Sequence, residues 1–579
     1  MTDPTSTTEP YRLPRPPAAP EPGPRDQAFY DLVEARTRRL VTADPVLGTY
    51  LGLHEHDDEL GDASREALLD ELAADRHHLA AVEAIEPADL SDAVRFEREL
   101  ELHNVKRAVL DLDVVRIWER RSLALDTVGD GLFLSFARDY APLGERLATI
   151  AGRLEAVGPY LEQAPSRATV PQVRAWQAIE IEAAAELPAF IDEILAAADL
   201  SEAAGPAFGA AERRRLGRAA DAAKVAIELY GQSLEDRLPE GTDDWPVGRD
   251  VHDQVVAHRA FDGLDADDIL ALGWEQLERE KAGRVTVARE IDPSATEAEV
   301  VDRVKSDQPR DFAAALDAYR DTMRRARTFL IDHDLVSVPD DERVEVIETP
   351  EYLRRVLPFA AYFSPAPFDR DPVGLYVVTP SVGDDPNAMR EHNLASISNT
   401  SIHEAYPGHH LQLDVARRHP SLTRLLTEAP EFVEGWGMYS ELMMREQGFD
   451  ADPAFRMMVH TDAIWRACRI ILDVRMHRGE LSIAQATDFL VEHTAFERAN
   501  AAAEVGWYTY RPTYPLSYLL GRTLLLTLRA DEQARLGPAF SLRDFHDTLL
   551  RNGSLPISFH RRLLAGAATG SGADASGAR

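Results

Sequence analysis

The strongest constraint on the fold is the spacing of apolar residues along most of the chain. Segments rich in Ala, Leu, Glu and Arg carry apolar residues three and four positions apart, the pattern of an amphipathic helix. Clear examples span residues 29–41, 67–84, 91–114, 173–198 and 213–234. Pro and Gly separate these segments. The pattern predicts that about the first 330 residues form a stack of helices.

The sequence changes in character near Val338. Residues 343–347, 359–363 and 373–379 are short, rich in β-branched or aromatic residues, and bounded by Pro, Asp and Gly. We expect these three segments to form a small sheet. Helical spacing returns at Leu394, so the predicted fold class is mainly α with a small β-sheet. An exposed edge strand of such a sheet could hold an extended peptide.

Charge and cysteine content exclude several classes of protein. The 579 residues include 63 Lys and Arg against 99 Asp and Glu, a formal net charge of −36. This argues against nucleic acid as a partner, because phosphate binding needs a basic face. The single cysteine, Cys468, cannot form an intramolecular disulfide. With no signal-peptide pattern and no apolar run of about 18–20 residues, we expect a cytoplasmic protein that does not bind membranes.

Two short motifs carry the chemical information in this sequence. Residues 401–412 read Ser-Ile-His-Glu-Ala-Tyr-Pro-Gly-His-His-Leu-Gln, and residues 434–441 read Glu-Gly-Trp-Gly-Met-Tyr-Ser-Glu. Zinc hydrolases hold Zn²⁺ with two neutral imidazoles and a carboxylate, and a further carboxylate accepts a proton from water. Here the nitrogen ligands would be His403 with His409 or His410, the oxygen ligand Glu434, and the general base Glu404.

The spacing of the histidines departs from the usual His-Glu-x-x-His pattern. A regular helix places the seventh following residue only about 20° from the first, which favours His410 as the partner of His403. Pro407 cannot donate an N–H group to the carbonyl of His403, so the helix must kink or bulge there. A bulge adds residues without adding turns and would bring His409 into place instead. Helix geometry alone therefore leaves both histidines open.

The two motifs resemble those of the bacterial family catalogued as domain of unknown function 885, whose members are helical and regarded as candidate zinc metallopeptidases. The resemblance extends over about residues 30–564. Gly408-His409 is also similar to the Gly-His step of gluzincins such as the angiotensin-converting enzyme and oligoendopeptidase groups and dipeptidyl peptidase III, although Pro407 and two inserted residues differ. The resemblance implies a large gluzincin-like peptidase body, an active-site cleft beside the sheet, and His409 as the ligand.

Two further segments are candidate parts of the same site. Residues 511–521 resemble a family motif, and related peptidases use a late tyrosine to donate a hydrogen bond to the oxyanion. Tyr518 is our candidate and Tyr514 the reserve, with an aromatic core position as the alternative. Glu441 lies seven residues after Glu434, on the same helical face, where it could support a ligating imidazole.

Other clusters are given less weight. We interpret His54-Glu55-His56-Asp57-Asp58 and His77-His78 as solvated surface, and Cys468 as a buried, inert thiol. Arg511 or Arg522 is available to hold the terminal carboxylate of a peptide.

The sequence therefore predicts four regions and one main function. The regions are a disordered Pro-rich leader at 1–25, a helical domain at 26–335, a catalytic region with the sheet and metal-binding helices at 336–567, and a disordered tail at 568–579. The expected function is zinc-dependent hydrolysis of short peptides. The alternatives are an amidase or esterase acting on a non-peptide metabolite, and a non-catalytic metal-binding interaction protein. The sequence makes no prediction of oligomeric state.

Overall fold

The computed structural model describes residues 13–19, 21–200, 208–349, 354, 360–380, 388–494 and 496–567. Residues 1–12 and 20 of the predicted leader, Phe359 of the second predicted strand and the predicted tail lie outside these residues. The described part of the leader has no helix or strand before α1. In it, Leu13 is buried, and Arg15 donates hydrogen bonds to Asp31 and Glu34 of the first helix.

The described chain is mainly helical, as predicted from the spacing of apolar residues. Its helices are α1 (Asp26–Ala43), α2 (Pro45–Leu51), α3 (Arg65–Glu83), α4 (Asp92–Leu110), α5 (Ile117–Arg120), α6 (Ala124–Ala137), α7 (Leu143–Gln163), α8 (Arg174–Leu200), α9 (Ala210–Arg237), α10 (Arg249–Arg259), α11 (Ala266–Ile291), α12 (Glu297–Ser306), α13 (Phe312–Asp332), α14 (Leu394–Glu404), α15 (His409–Ala416), α16 (Leu422–Leu425), α17 (Pro430–Glu446), α18 (Pro453–His477), α19 (Ile483–Thr494), α20 (Arg498–Tyr508), α21 (Ser517–Leu536), α22 (Leu542–Arg551) and α23 (Ile557–Ala567). None of the helices in the described ranges is long and apolar enough to cross a membrane.

Contacts between residues divide the chain into two compact units. Unit 1 comprises Met1–Trp245, Ala366–Asp371 and Pro420–Thr423, and unit 2 comprises Pro246–Pro365, Pro372–His419 and Arg424–Arg579. The domain boundary that the sequence suggests between residues 335 and 336 stays a prediction.

Unit 1 is a helical body in which α7 and α8 both pack against α9, and α3 packs against α4. A fully buried arginine, Arg153 of α7, ties several of its segments together. The Arg153 guanidinium donates hydrogen bonds to the carbonyl oxygens of Glu59 and Gly131 and to the hydroxyls of Thr49 and Ser135. All three guanidinium nitrogens thus have an acceptor, as a buried charge requires.

Unit 2 contains the small sheet that the sequence predicted. Strand β1 (Val344–Glu348) pairs in parallel with β3 (Gly374–Val378), and β2 (Ala360–Phe363) pairs antiparallel with β3, so the order is β1-β3-β2. The central strand β3 is the most buried of the three, and its Tyr376, Val377 and Val378 are buried.

The helices of unit 2 place the chemically important motifs. Helix α11 packs against α18, and α17 packs against α21. The start of α14 packs into a core cluster formed with α11, α12 and α18, which includes Val287, Val300, Ala395 and Met457. Asn393 caps α14, since its side-chain oxygen accepts a hydrogen bond from the backbone N–H of Ser396. The motif at 401–412 is therefore anchored from its N-terminal side.

Candidate metal centre

Three helices of unit 2 bring two imidazoles and one carboxylate together. His403 lies at the end of α14, His409 is the first residue of α15, and Glu434 lies in the first turns of α17. One ligand atom from each residue lies within 4.8 Å of the others. The Oε2 atom of Glu434 is 3.8 Å from Nε2 of His403 and 3.4 Å from Nε2 of His409. All three side chains are buried.

The break between α14 and α15 explains the unusual spacing of the two histidines. Helix α14 ends at Glu404, and the chain turns through a cis Tyr406–Pro407 peptide bond before α15 begins. In this turn the backbone N–H of Gly408 donates to the carbonyl of Ile402 across 3.0 Å. A Cβ atom at Gly408 would overlap the backbone carbonyl oxygen of His403, so the position accepts only glycine. The kink predicted at Pro407 is thus a complete break.

His410 has a different role from its neighbour. Its Nε2 donates to Oε2 of Glu342 across 2.7 Å, and its Nδ1 accepts from the hydroxyl of Tyr362 across 2.9 Å. The hydroxyl of Tyr406 donates to the same oxygen of Glu342. Because both ring nitrogens of the fully buried His410 are used, the structure brings His409, and not His410, to His403 and Glu434.

Glu441 binds the imidazole nitrogen of His403 that does not face Glu434, a role that the helical spacing in α17 suggested. Nδ1 of His403 donates to Oε1 of Glu441 across 2.7 Å, which leaves Nε2 directed toward Glu434. The amide of Asn399 donates both to Glu441 and to Asp462, across 2.9 and 2.7 Å. A carboxylate that holds the outer nitrogen of an imidazole in this way fixes its tautomer and orientation for a metal.

Gly437 makes room for the imidazole of His403. A Cβ atom at this position would lie 2.7–2.9 Å from three atoms of the His403 ring. Real Cβ contacts are longer than this, so any side chain at position 437 would push the ring away. The second glycine of the Gly-Trp-Gly sequence in α17 is therefore explained by the close approach of the His403 ring.

Trp436, between the two glycines, holds the turn before α15. Its indole N–H donates to the carbonyl of Pro407 across 2.7 Å.

The electrostatics of the cluster follow from its two imidazoles and two carboxylates. Burial opposes a charge on His403, but Glu434 and Glu441 outweigh it and raise the pKa of His403 to about 10. Burial likewise opposes ionisation of Glu434, yet His403 and His409 hold the pKa of its carboxyl well below the usual range. The pKa of Glu441 is lowered by His403 against the same effect of burial. The site thus favours ionised carboxylates around a positive centre.

Glu404 follows the first ligand and is half-buried. Among the described residues it has no hydrogen-bond partner and no ion-pair partner. Burial raises the pKa values of the Tyr319 and Tyr376 hydroxyls, and the charge of Glu404 adds a smaller contribution to both. A carboxylate without a partner can accept a proton, which is the requirement for a general base.

The two candidate tyrosines occupy different places. The hydroxyl of Tyr514 donates to Oε1 of Glu434 across 3.0 Å. The ring of Tyr518 lies beside that of Tyr514, with centroids 6.2 Å apart, and the guanidinium of Arg469 lies 4.4 Å from its centroid. The alternative of a purely core position does not describe Tyr514, which contacts a candidate ligand. Tyr518 stays the candidate for contact with a substrate.

The loop that carries Tyr514 is held by buried polar residues that sequence reasoning missed. Thr513 has a positive φ of 66°, and its backbone N–H donates to Asp473 across 2.9 Å. Arg259 donates to the carbonyl and hydroxyl of Thr513 and also to Glu431. These contacts join positions far apart in the sequence, so no local signal could reveal them. Asn399, by contrast, lies four residues before His403, and helical spacing could have identified it.

Three minor interpretations need correction. His54 is 28% exposed and stacks on Tyr140 with ring centroids 3.7 Å apart, and Asp57 is buried, whereas Glu55 and Asp58 are exposed as expected. His78 is also buried and hydrogen-bonds to Glu101 across 2.8 Å, whereas His77 is exposed as expected. The reason is that tertiary contacts of unit 1 cover these positions.

Cys468 and the two arginines suggested for substrate binding have clear environments. Cys468 is buried and unpaired with any other cysteine, and burial raises the pKa of its thiol to about 12, which agrees with an inert thiol. Arg522 is buried and paired with Glu280, and Arg511 is exposed. Arg522 keeps a buried Nε without a hydrogen-bond partner among the described residues.

The donor set of the cluster fits zinc. Two imidazole nitrogens and one carboxylate oxygen are the ligands of catalytic zinc sites that keep a position open for water, and such sites commonly include an outer carboxylate on a ligating imidazole. Here His403, His409 and Glu434 would be the ligands and Glu441 the outer carboxylate. The fold and this cluster together define a mainly helical protein with a candidate metal centre.

Comparison with known proteins gives the family. The chain belongs to the family described as "Bacterial protein of unknown function (DUF885)", whose model matches residues 45–564. No curated protein matches it.

Two solved structures have the same fold. The first is of a candidate lipoprotein of unknown function from Shewanella oneidensis, with 21% identity, a TM-score of 0.77, and coverage of 93% of this chain and 99% of the other. The second is of a candidate lipoprotein from Colwellia psychrerythraea, with 18% identity, a TM-score of 0.80, and coverage of 94% and 99%.

Proposed function

We propose that this protein is a zinc-dependent hydrolase and, more specifically, a gluzincin-like metallopeptidase that cleaves short peptides. The observation that carries the proposal is the convergence of two imidazoles and one carboxylate from three helices, with the unpaired carboxylate of Glu404 directly after the first of them. A metal site that serves only stability has no use for such a carboxylate. A cytoplasmic location stays a prediction.

Each residue of the cluster has a defined task in this proposal. His403, His409 and Glu434 would hold the ion. When bound, zinc supplies a water molecule of lowered pKa and polarises the carbonyl group of the substrate. Glu404 accepts the proton of the attacking water and passes it to the leaving amine. Glu441 keeps the proton on Nδ1 of His403, so that Nε2 is free to act as a ligand.

Tyr514 and Tyr518 would have separate roles, one toward a metal ligand and one toward the substrate. Tyr514 is hydrogen-bonded to Glu434 and would therefore orient a ligand. Tyr518 would donate a hydrogen bond to the oxygen that becomes negative when the peptide carbonyl is attacked, a type of contact that contributes strongly to catalysis. Loss of the Tyr518 hydroxyl should therefore lower kcat more than it raises KM.

The first experiment measures the metal content of purified protein by mass spectrometry. We expect close to one zinc ion per chain in the wild type and a loss of most of it in His403→Ala and Glu434→Ala. His77→Ala is the matched control, because His77 is exposed on α3 and its loss should leave the zinc content unchanged. A wild-type protein that takes up no metal even after incubation with zinc would refute the proposal.

The second experiment tests catalysis and separates the alternatives. Zinc-loaded protein is incubated with a library of dipeptides and tripeptides and with a matched set of ester and non-peptide amide substrates. We expect cleavage of peptides and a loss of about 1000-fold in Glu404→Gln with zinc retained. Cleavage of the non-peptide set alone would favour an amidase or esterase. Unchanged activity in Glu404→Gln would exclude the proposed general base.

A further inference from the structure

Two arginines on α18 have buried hydrogen-bond donors that the chain does not use. Arg469 donates through Nε and Nη2 to Glu504, and its Nη1 has no acceptor among the described residues. Arg466 faces Asp462 across 3.3 Å, yet its Nε and Nη1 make no hydrogen bond in the described parts of the chain. The two side chains are 7% and 14% exposed. Buried donors are almost always paired in native proteins, so unmet ones call for an explanation.

The two guanidinium groups surround the same indole ring. The central carbon of Arg466 lies 3.8 Å from the ring centroid of Trp465, and that of Arg469 lies 4.4 Å from it. Stacking of this kind stabilises the cation through its flat face and leaves the N–H groups at its edge for a ligand. The indole Nε1 of Trp465 is a further buried donor without an acceptor in the described ranges. The cluster therefore has more buried donors than Asp462 and Glu504 satisfy.

This donor cluster adjoins the candidate metal centre on two sides. Arg469 lies against the ring of Tyr518, which lies beside Tyr514, the donor to Glu434. Arg469 therefore contacts the residue that we assign to substrate contact.

On the other side, the cluster is linked to the residues behind His403. Arg466 pairs with Asp462, which shares the amide of Asn399 with Glu441, the outer partner of His403. The unmet donors are thus connected to the site from both directions.

A carboxylate is the acceptor that suits this cluster. The planar fork of a guanidinium matches the two oxygens of a carboxylate, and buried arginines are the usual means of recognising one. The surrounding carboxylates of Asp462, Glu441 and Glu504 would oppose a more highly charged group such as phosphate. Of the arginines suggested by the sequence, Arg511 is exposed, and Arg522 pairs with Glu280 and keeps one buried, unpaired Nε among the described residues. Arg469 is distinguished by its contact with Tyr518.

We propose that Arg466 and Arg469 bind the free α-carboxylate of a peptide's C-terminal residue, so that this protein removes residues from the C-terminal end of its substrates. This inference rests on the proposed function, since it assigns the substrate class of the same site. An acidic side chain presents the same chemical group, and the experiment below separates the two sources.

The test compares matched substrates on zinc-loaded protein. The probes are an N-acetylated tripeptide of alanine as the free acid, the same peptide as the C-terminal amide, and an amidated peptide with glutamate as its last residue. We expect kcat/KM for the free acid to exceed that for either amide by at least about 100-fold, because an analogue without the carboxylate leaves buried donors unpaired. Comparable cleavage of the glutamate amide would overturn recognition of the C-terminus.

The arginine variants make the assignment specific. In Arg466→Gln the ratio of kcat/KM for the free acid to that for the alanine amide should fall about 100-fold, so that the preference for the free acid disappears. Arg456→Gln is the control, since Arg456 lies on the same helix and pairs with the exposed Glu290. Arg469→Gln should behave as Arg466→Gln does. If the loss of its pairing with Glu504 prevents folding, Arg466→Gln decides the question alone.

A binding measurement separates this inference from the proposed function. Isothermal titration of the metal-free protein with the free acid should show binding that Arg466→Gln abolishes and Arg456→Gln retains. Equal binding to the wild type and Arg466→Gln, or equal cleavage of acid and amide, would overturn the inference and leave the hydrolase intact. If the free acid binds in this manner but no peptide is cleaved, the proposed hydrolase fails while the carboxylate site stands.

Discussion

Two clusters of histidine and carboxylate side chains in this protein contain the same residue types and are built differently. In unit 2, the imidazoles of His403 and His409 both face the single carboxylate of Glu434. In unit 1, the single imidazole of His54 lies between two carboxylates. Its Nδ1 is 2.8 Å from Asp57, and its Nε2 is 3.5 Å from Asp369.

The difference shows which arrangement can hold a metal and which needs only a proton. Around His54, one positive imidazolium between two carboxylates satisfies the charge. Burial opposes that charge, but Asp369 and Asp57 outweigh it and raise the pKa of His54 to about 9. In the other cluster a second imidazole also turns its nitrogen inward, and a divalent cation can join two nitrogens and one oxygen. The number of inward-facing nitrogens matters more than the density of ligand types.

The largest difference in zinc affinity is expected between substitutions of two adjacent residues, His409 and His410. His409→Gln removes a ligand, and we expect zinc affinity to fall by more than the roughly 100-fold that loss of an outer contact costs. His410→Gln should keep its zinc, because His410 is hydrogen-bonded to Glu342 and Tyr362. The substitution should instead lower the free energy of unfolding by about 1–3 kcal/mol, because the buried carboxylate of Glu342 loses a hydrogen-bond donor. Zinc titration and thermal unfolding of both variants check this.

The opposite result would reverse the assignment of the ligands. Loss of zinc from His410→Gln with retention in His409→Gln would mean that α15 is rotated relative to the arrangement described here. A loss of zinc from both variants with normal thermal unfolding would show that the two histidines act together.

The sequence revealed much of the candidate site because its residues lie in short motifs. His403, Glu404 and Glu434 were identified from residue types that zinc chemistry requires, and Glu441 from a spacing of seven on one helix. Helix geometry could not choose between His409 and His410. That choice depends on the break at Pro407, which a periodic pattern cannot represent.

Other parts of the molecule could not be predicted from local patterns. The helical class and the three strands followed from periodicity and β-branched composition. The ion pair of Arg469 with Glu504, 35 residues later, and the packing of His54 near Asp369 depend on tertiary contacts between distant segments. Asp369 lies more than 300 residues after His54, and no spacing rule covers such a distance.

A substitution at Gly437 should damage the metal centre without removing any ligand. The new methyl group of Gly437→Ala would lie within 3 Å of the His403 ring, and the ring must move. Displacements near 1 Å at a reacting centre cost about 100-fold, so we expect at least that loss of activity. Gly506→Ala is the matched control, since a Cβ atom there meets nothing within 4 Å. Equal activity of both variants would show that the His403 ring has room to spare.

Removal of the outer carboxylate should have a smaller effect. In Glu441→Gln the charge that orients His403 is lost while the shape of the side chain is kept. Loss of such a partner commonly lowers metal affinity by about 10–100-fold. Glu446→Gln lies on the same helix, where the side chain is exposed and pairs with Arg529, and it should change the affinity little. Competition with a chelator of known affinity measures both, and equal affinities would remove Glu441 from the site.

The smallest effect is expected on stability, at His54, where a proton on the imidazole balances the two neighbouring carboxylates. Because the pKa of His54 is raised in the folded state to about 9, its contribution to stability is complete below the unfolded value of about 6.5 and is lost as the pH rises through 9. With allowance for partial exposure, His54→Gln should cost of the order of 1–2 kcal/mol at pH 6 and much less at pH 10. His56→Gln, whose partner Glu59 is exposed, is the control. Thermal unfolding at both pH values measures the difference in stability between the wild type and His54→Gln. A gap that is constant or widens with pH would show that His54 acts through packing on Tyr140 and not through its charge.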